Sequence, residues 1–197
     1  MIDEFGLLAS RLTIGLSYAA HGAQKAFGWF EGPGPQGAAG FMESLGLRPG
    51  EKYATTASYG ELAAGMLIAL GLGGPIGPAT VISGMIVAQT TVHAKNGYFA
   101  AKGGIELGVL YSAAALAFAS SGYGDLSLDH ALGLDDRLHH PAFTTLVLAG
   151  AVAAAYAVLA QRDTSPPDGI LATPTIPGDR ESNGASSGSE TPTPAAS

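Results

Sequence analysis

The sequence predicts an all-α membrane protein, with a polytopic four-helix bundle core, a fifth C-terminal transmembrane helix and a disordered tail. Two observations lead to this prediction. The chain contains five apolar runs, each of about 20 residues, which is the length that a helix needs to cross a bilayer. It is 47% hydrophobic and only 13% charged, whereas an ordinary soluble domain is about 25% charged. Because a spanning segment must satisfy its own backbone hydrogen bonds, the runs are predicted to be helices.

The first four runs form the predicted core and are separated by glycine- and proline-containing turns. They cover residues 5–29, 53–72, 76–94 and 103–121. The first run ends in the aromatic residues Phe27, Trp29 and Phe30, which are typical of a membrane interface. Between the first two runs, residues 38–47 are amphipathic and are expected to lie on the membrane surface.

The last part of the chain divides into an outer loop, a fifth helix and a tail. Residues 122–140 are polar and acidic, and residues 141–161 form an alanine-rich apolar run. Residues 163–197 are rich in Pro, Ser, Thr and Gly, a composition that predicts disorder because it offers little apolar surface to bury. The predicted organisation is therefore a core at 1–130, the loop end and fifth helix at 131–162, and a cytoplasmic tail at 163–197.

The distribution of lysine and arginine predicts the orientation in the cell membrane. With five spans, most basic residues lie on the side that carries the first loop, the third loop and the tail. Positive charge marks the cytoplasmic side. The N-terminus and the acidic loop are thus expected outside, and the C-terminus in the cytoplasm.

Composition also excludes several classes of function. The formal net charge is −7 and no basic stripe is present, so nucleic acid is not an expected partner. The chain has no cysteine, which excludes disulfides, thiolate metal sites and a thiol nucleophile. Any redox role would therefore need a bound cofactor or a partner protein.

The most informative residues are polar side chains at membrane depth. A charged side chain there costs about 2.5–3.5 kcal/mol on insertion scales, so such residues are usually functional or paired. Arg11 lies toward the outside, and the helical rise places the others near the midplane or in the cytoplasmic half. These others are His21, Lys25, Glu61, Gln89, His93 and Glu106.

Three interpretations of these residues compete. In the structural one, the cations Arg11 and Lys25 pair with Glu61 and Glu106 to hold the bundle together. In the second, the six inner residues form a site for a quinone or another small hydrophobic cofactor, which His21, Gln89 and His93 would hold while Glu61 or Glu106 relays protons. A quinone needs hydrogen-bond donors and a proton route, and histidine suits that task. A metal or haem site ranks last, because no ligand spacing such as His-x-x-x-His marks one. In the loops, Asp129 is expected to cap a turn, and His139 to lie in solvent at the start of the fifth helix.

Several ordered motifs resemble those of DoxX-type membrane proteins, over about residues 5–130. They are the run from Arg11 through Gly15, His21, Gly22 and Lys25 to Phe27-Gly28, then Gly40-Phe41, Glu61, Asn96-Gly97-Tyr98-Phe99, Gly103-Gly104 before Glu106, and the segment from Gly122 to Asp129. The resemblance implies a four-helix core and an association with oxidoreductases; the family is named after a subunit of a quinone-coupled oxidase.

The expected function is therefore that of an integral membrane subunit. It would support electron or proton transfer between membrane quinone and a partner oxidoreductase. The alternative is a non-catalytic scaffold that anchors a partner enzyme or forms a homo-oligomer. A small-solute transporter is less favoured, because the inverted repeat or broken helices that would mark one are not evident.

Overall fold

The computed structural model describes residues 2–163 and residue 165, and every regular element in that part of the chain is helical. The elements are α1 (Ile2–Phe27), α2 (Gly34–Ser44), α3 (Gly50–Leu70), α4 (Ile76–Ala88), a π-helical turn (Gln89–His93), two 3-10 turns (Ala94–Asn96 and Ala100–Lys102), α5 (Glu106–Ser121), α6 (Leu128–Ala131), α7 (Asp135–Leu138) and α8 (Pro141–Ala160). The predicted all-α fold is confirmed. The predicted disordered tail lies outside the described residues, apart from residues 163 and 165.

Each predicted run corresponds to a helix, with differences at the ends. The surface helix α2 begins at Gly34, earlier than expected, with Pro35 in its first turn, where a missing N–H costs nothing. The third run is divided between α4 and the π-helical turn. The fourth run begins at Glu106 and not at residue 103, because positive-φ Gly103 ends a 3-10 turn there.

Only α8, among the described helices, is long and apolar enough to qualify by itself as a membrane span, with a mean hydropathy of 2.0. The polar residues inside α1 and α3 lower their hydropathy, while α4 and α5 have only 13 and 16 residues. Five crossings therefore stay a prediction.

Successive long helices run antiparallel, and α1 packs most closely on α3. Glycines make this approach possible. A Cβ atom on Gly15 would lie 2.5 Å from the carbonyl oxygen of Gly65, and one on Gly22 would lie 2.5 Å from the backbone nitrogen of Leu62. Helix α4 packs against α3, α5 and α8, and α2 covers the start of α3. The core between the helices contains Tyr18, Ala64, Ile68, Val81, Ala115, Phe118 and Tyr123.

Hydrogen bonds join the end of α8 to the end of α2 and the start of α3. The Tyr53 hydroxyl donates to Gln161 at 2.9 Å, and the Arg162 guanidinium donates to the Leu45 carbonyl at 2.9 Å. These bonds place the C-terminal end of α8 beside the end of α1 and the start of α3. The opposite end of the bundle carries α6, α7 and the turn between α3 and α4.

Large apolar side chains point outward along the long helices. Leu16 on α1, Leu110 on α5, and Leu146 on α8 are each at least 50% exposed. Further large apolar side chains are at least 37% exposed, namely Leu12, Met66, Leu70, Leu107, Leu116, Val152 and Tyr156. An apolar surface of this extent is unusual for a soluble monomer and marks a contact with lipid or protein.

Candidate functional site

An ion pair links Lys25 on α1 with Glu61 on α3. It forms because Gly22, one turn before Lys25, lets the two helices approach closely. The side chains of Lys25 and Glu61 are only 29% and 14% exposed. Glu61 uses Oε1 for the pair, while its Oε2 is buried without a hydrogen-bond partner among the described residues. The carboxylate therefore keeps one oxygen available for a further donor.

Two tyrosines lie within the electrostatic influence of Glu61, and His21 contacts one of them. Tyr18 is buried, and its ring centroid lies 5.5 Å from that of Tyr111 on α5. The His21 ring meets the Tyr111 ring edge-on at 6.2 Å. The negative charge of Glu61 acts on both tyrosine hydroxyls. We call Tyr18, His21, Lys25, Glu61 and Tyr111 the inner cluster.

The other three predicted site residues form a separate group at the end of α4 and the start of α5. The Gln89 amide lies against α5, where a Cβ on Gly108 would be 2.7 Å from its Nε2. His93 Nδ1 is 2.7 Å from the Gly103 carbonyl oxygen. Glu106 accepts a hydrogen bond of 2.8 Å from the backbone nitrogen of Ala100. Gln89, His93 and Glu106, which we call the loop group, thus fix the connection between the two helices.

The six residues predicted to bind a cofactor therefore lie in two places. His21, Lys25 and Glu61 belong to the inner cluster, and the loop group is held by its own backbone contacts. Tyr18 and Tyr111 were not singled out from the sequence. A tyrosine inside an apolar run resembles an ordinary core residue, and only the packing of α5 against α1 shows that both face Glu61.

Arg11 lies far from the inner cluster and does not join the expected pairing. It donates a hydrogen bond of 2.6 Å to the Leu126 carbonyl oxygen, and its guanidinium carbon lies 5.6 Å from the centre of the Tyr123 ring. In the described part of the chain, neither Glu61 nor Glu106 is within ion-pair distance of it. The reason is the position of Arg11 on the helix, since 14 residues separate it from Lys25 and each residue advances about 1.5 Å.

Arg11 belongs instead to a buried polar group at the opposite end of the bundle. Asp129 is fully buried and accepts hydrogen bonds from the backbone nitrogens of Gly73 and Gly74, at 2.9 and 2.7 Å. Asp129 therefore caps a turn, as expected. His139 is not in open solvent, since its Nε2 is 3.7 Å from Asp129 Oδ2 and its side chain is only 18% exposed. We call Arg11, Tyr123, Asp129 and His139 the outer cluster.

The environment in and beside the outer cluster changes the pKa of two side chains, Tyr123 and His130. Burial, and then the negative charge of Asp129, raise the pKa of the Tyr123 hydroxyl above its ordinary value. The hydroxyl is therefore protonated at neutral pH. On the surface, the hydrogen bond from His130 to Asp135 raises the pKa of the imidazole, with a further contribution from the charge of Asp125. A cavity of about 410 Å³ opens at this end, and its lining includes Tyr123, Asp125, Asp136 and His139.

The comparisons with known proteins identify one family. Residues 6–94 match the DoxX family model, which covers the chain from α1 to the π-helical turn and includes His21, Lys25 and Glu61. The motifs between residues 96 and 129 lie beyond the matched range. No curated protein and no solved structure matches the chain. The match places a DoxX domain at residues 6–94 and supports a DoxX-family membrane protein.

Proposed function

We propose that this DoxX-family protein is a multi-pass cell-membrane subunit that supports electron or proton transfer between membrane quinone and a partner oxidoreductase. One observation carries the proposal. The buried carboxylate of Glu61 has one oxygen paired with Lys25 and the other without a partner among the described residues. Its neighbours, a histidine and two tyrosines, can donate hydrogen bonds and exchange protons.

The exposed apolar surface supports several crossings. Helices α1, α3, α5 and α8 all present large apolar side chains outward, and lipid would cover them without the cost that water imposes. The polar residues that lower the hydropathy of α1 and α3 are largely turned inward or paired, as with Arg11, Lys25 and Glu61. A hydropathy average cannot distinguish a buried polar residue from an exposed one.

The two ends of the bundle support the proposed orientation. The end that carries the loop group also has Lys95 and Lys102, together with the exposed aromatic residues Trp29, Phe30 and Phe99. This end would be cytoplasmic by the distribution of positive charge. The opposite end carries the acidic segment and would face outward, with the N-terminus outside and the end of α8 in the cytoplasm.

The proposed chemistry assigns a distinct task to each residue of the inner cluster. A bound quinone would supply the electron-carrying ring, because the chain has no cysteine and so no thiol redox chemistry of its own. The His21 imidazole would donate a hydrogen bond to a carbonyl oxygen. Glu61 would receive or supply the proton, and Lys25 would hold the carboxylate in place.

The scaffold function is the second candidate, and the closed ion pair favours it. Lys25 and Glu61 pair with each other, and each member of the loop group contacts the neighbouring connection or helix. Buried polar groups in membrane bundles often only stabilise packing. In that case the protein would anchor a partner enzyme without taking part in its reaction.

Two matched histidine variants distinguish these candidates. The protein would be purified in a mild detergent from bacterial membranes that contain quinone, and its lipid extract analysed by mass spectrometry. We expect the wild type and His93→Phe to retain quinone, because His93 belongs to the loop group, and His21→Phe to lose it. Quinone in none of the three, together with a stoichiometric partner protein, would favour the scaffold. Retention by His21→Phe would remove His21 from the proposed site.

A further inference from the structure

A polar stripe runs along the face of α1 that is turned toward α5. Ser17, His21 and Lys25 follow one another at intervals of four residues, so they lie above one another on the helix over about 12 Å. Ser17 and His21 are exposed, and Lys25 is half-buried by its pairing with Glu61. The Tyr111 side chain on α5 faces this stripe, since its ring meets the His21 ring edge-on, with the ring centroids 6.2 Å apart.

The stripe is unusual because its surroundings are apolar. Across from it on α5, Leu107 and Leu110 are exposed next to Tyr111. The His21 imidazole makes no hydrogen bond with any described residue, and it contacts the Tyr111 ring. A polar group that faces hydrocarbon without a hydrogen bond is unfavourable. An exposed imidazole at this place therefore indicates a ligand that approaches from the lipid side.

We infer that the inner cluster opens sideways to the bilayer, between α1 and α5, and that its ligand is a quinone whose apolar tail stays in the lipid. The inference rests on the proposed function and adds the direction of entry and a new residue. The quinone ring lies against Tyr111, with His21 donating to one carbonyl oxygen. A compact ring with two acceptor oxygens and a long hydrocarbon tail matches a narrow polar stripe on α1 that faces the exposed leucines Leu107 and Leu110 on α5.

Tryptophan fluorescence can test the direction of entry, because the chain has a single tryptophan, Trp29. In a Trp29→Phe background, Leu107→Trp places a reporter one turn from Tyr111, at the edge of the proposed opening. Tyr156→Trp is the matched control, since Tyr156 is also exposed and lies near the C-terminal end of α8, at the end of the bundle where α5 begins. Each variant would be reconstituted in vesicles of phosphatidylcholine and titrated with decylubiquinone, which quenches tryptophan on contact.

We expect saturable quenching at Leu107→Trp and only a linear, collisional response at Tyr156→Trp. Adding His21→Phe should abolish the saturable component, and Tyr111→Ala should weaken it at least tenfold. Linear quenching at both reporters, in protein that still retains quinone on purification, would overturn sideways entry and leave the proposed function in place. Linear quenching without retained quinone would overturn both.

A phospholipid is the competing occupant, and it has its own readout. Brominated phosphatidylcholine, added in place of decylubiquinone, would quench both reporters to the same extent if the stripe binds no lipid headgroup. Stronger quenching at Leu107→Trp by brominated lipid, which decylubiquinone does not relieve, would assign the stripe to a lipid and overturn the inference.

Discussion

At the scale of single residues, Glu61 has the most consequential environment in the described chain. It lies within a helix that the bilayer is proposed to surround, it binds a lysine on another helix, and it leaves one oxygen without a partner. The buried charge of Arg11 is stabilised differently, because its guanidinium contacts a carbonyl oxygen and an aromatic ring in place of a carboxylate. The two basic residues of α1 therefore stabilise opposite ends of the helix by different contacts.

The ion pair predicts an order of stability for two variants. Glu61→Ala leaves the Lys25 ammonium without its acceptor, whereas Glu61→Gln keeps a hydrogen bond. We expect the alanine variant to unfold more easily than the glutamine variant. Loss of one partner costs about 1–3 kcal/mol, and Lys25, at 29% side-chain exposure, belongs at the lower end of that range. Thermal unfolding in detergent measures the difference. Equal melting temperatures would contradict a stabilising pair, and Lys25→Met with Glu61→Gln serves as the uncharged control.

The raised pKa of His130 predicts a pH effect at the outer surface. Because the folded protein binds the proton more tightly than the unfolded chain, the stabilising contribution is complete below the ordinary pKa and disappears as the pH rises through the raised one. Asp135→Asn should lower the pKa of His130, and Asp136→Asn, which removes an equal charge from the same turn, should leave it unchanged. An NMR titration of the imidazole measures both. The same midpoint in all three proteins would exclude the hydrogen bond as the cause.

At the scale of helices, the contact between α1 and α3 determines where the inner cluster forms. Gly15 and Gly22 face α3 and have no side chains. The backbones of α1 and α3 therefore come so close that a Cβ atom at either glycine would overlap the backbone of α3. This proximity lets Lys25 reach Glu61 while Tyr18 remains buried behind them. The glycines thus position charged residues that they do not touch.

The close contact between α1 and α3 predicts that adding one methyl group at Gly22 destabilises the protein. In Gly22→Ala the added carbon would meet the backbone of Leu62 at 2.5 Å, so the helices must separate. Overpacking of this kind costs about 1–3 kcal/mol. Gly150→Ala on α8 is the control, because nothing lies within 4 Å of its added carbon. We expect a lower melting temperature for Gly22→Ala alone. An unchanged value in both variants would show that α1 and α3 can separate without loss.

The helices were predictable from the sequence because each long helix coincides with an apolar run between turn-forming residues. Lys25 and Glu61 were among the predicted residues because both interrupt such runs. The loops were not predictable to the same degree. His139 is buried because α7 returns against the turn that contains Gly74, where a Cβ would meet Leu138 at 2.7 Å. No periodicity in residues 122–140 encodes that path, so the outer cluster depends on tertiary packing alone.

At the scale of the whole molecule, the antiparallel arrangement makes the orientation testable. The proposed five crossings would place the end of α8 in the cytoplasm. We expect a phosphatase fused after residue 197 to be inactive, and a fluorescent protein fused there to be bright, because the phosphatase requires export to fold. A fusion of the phosphatase within residues 132–134 is the control and should be active. The reverse pattern would contradict both the number of crossings and the orientation.

The π-helical turn at Gln89–His93 has a consequence for the evolution of the chain. The π turn follows α4 and leads into a 3-10 turn, and it accommodates one residue more than an α-helical turn would. The residues of α4 before it keep their alignment with α3, while those after it are rotated by about 100° relative to an uninterrupted helix. Loss of one residue here would restore a regular helix and turn His93 away from Gly103. A length change of one residue is therefore less tolerable at this turn than several residues would be in an exposed loop.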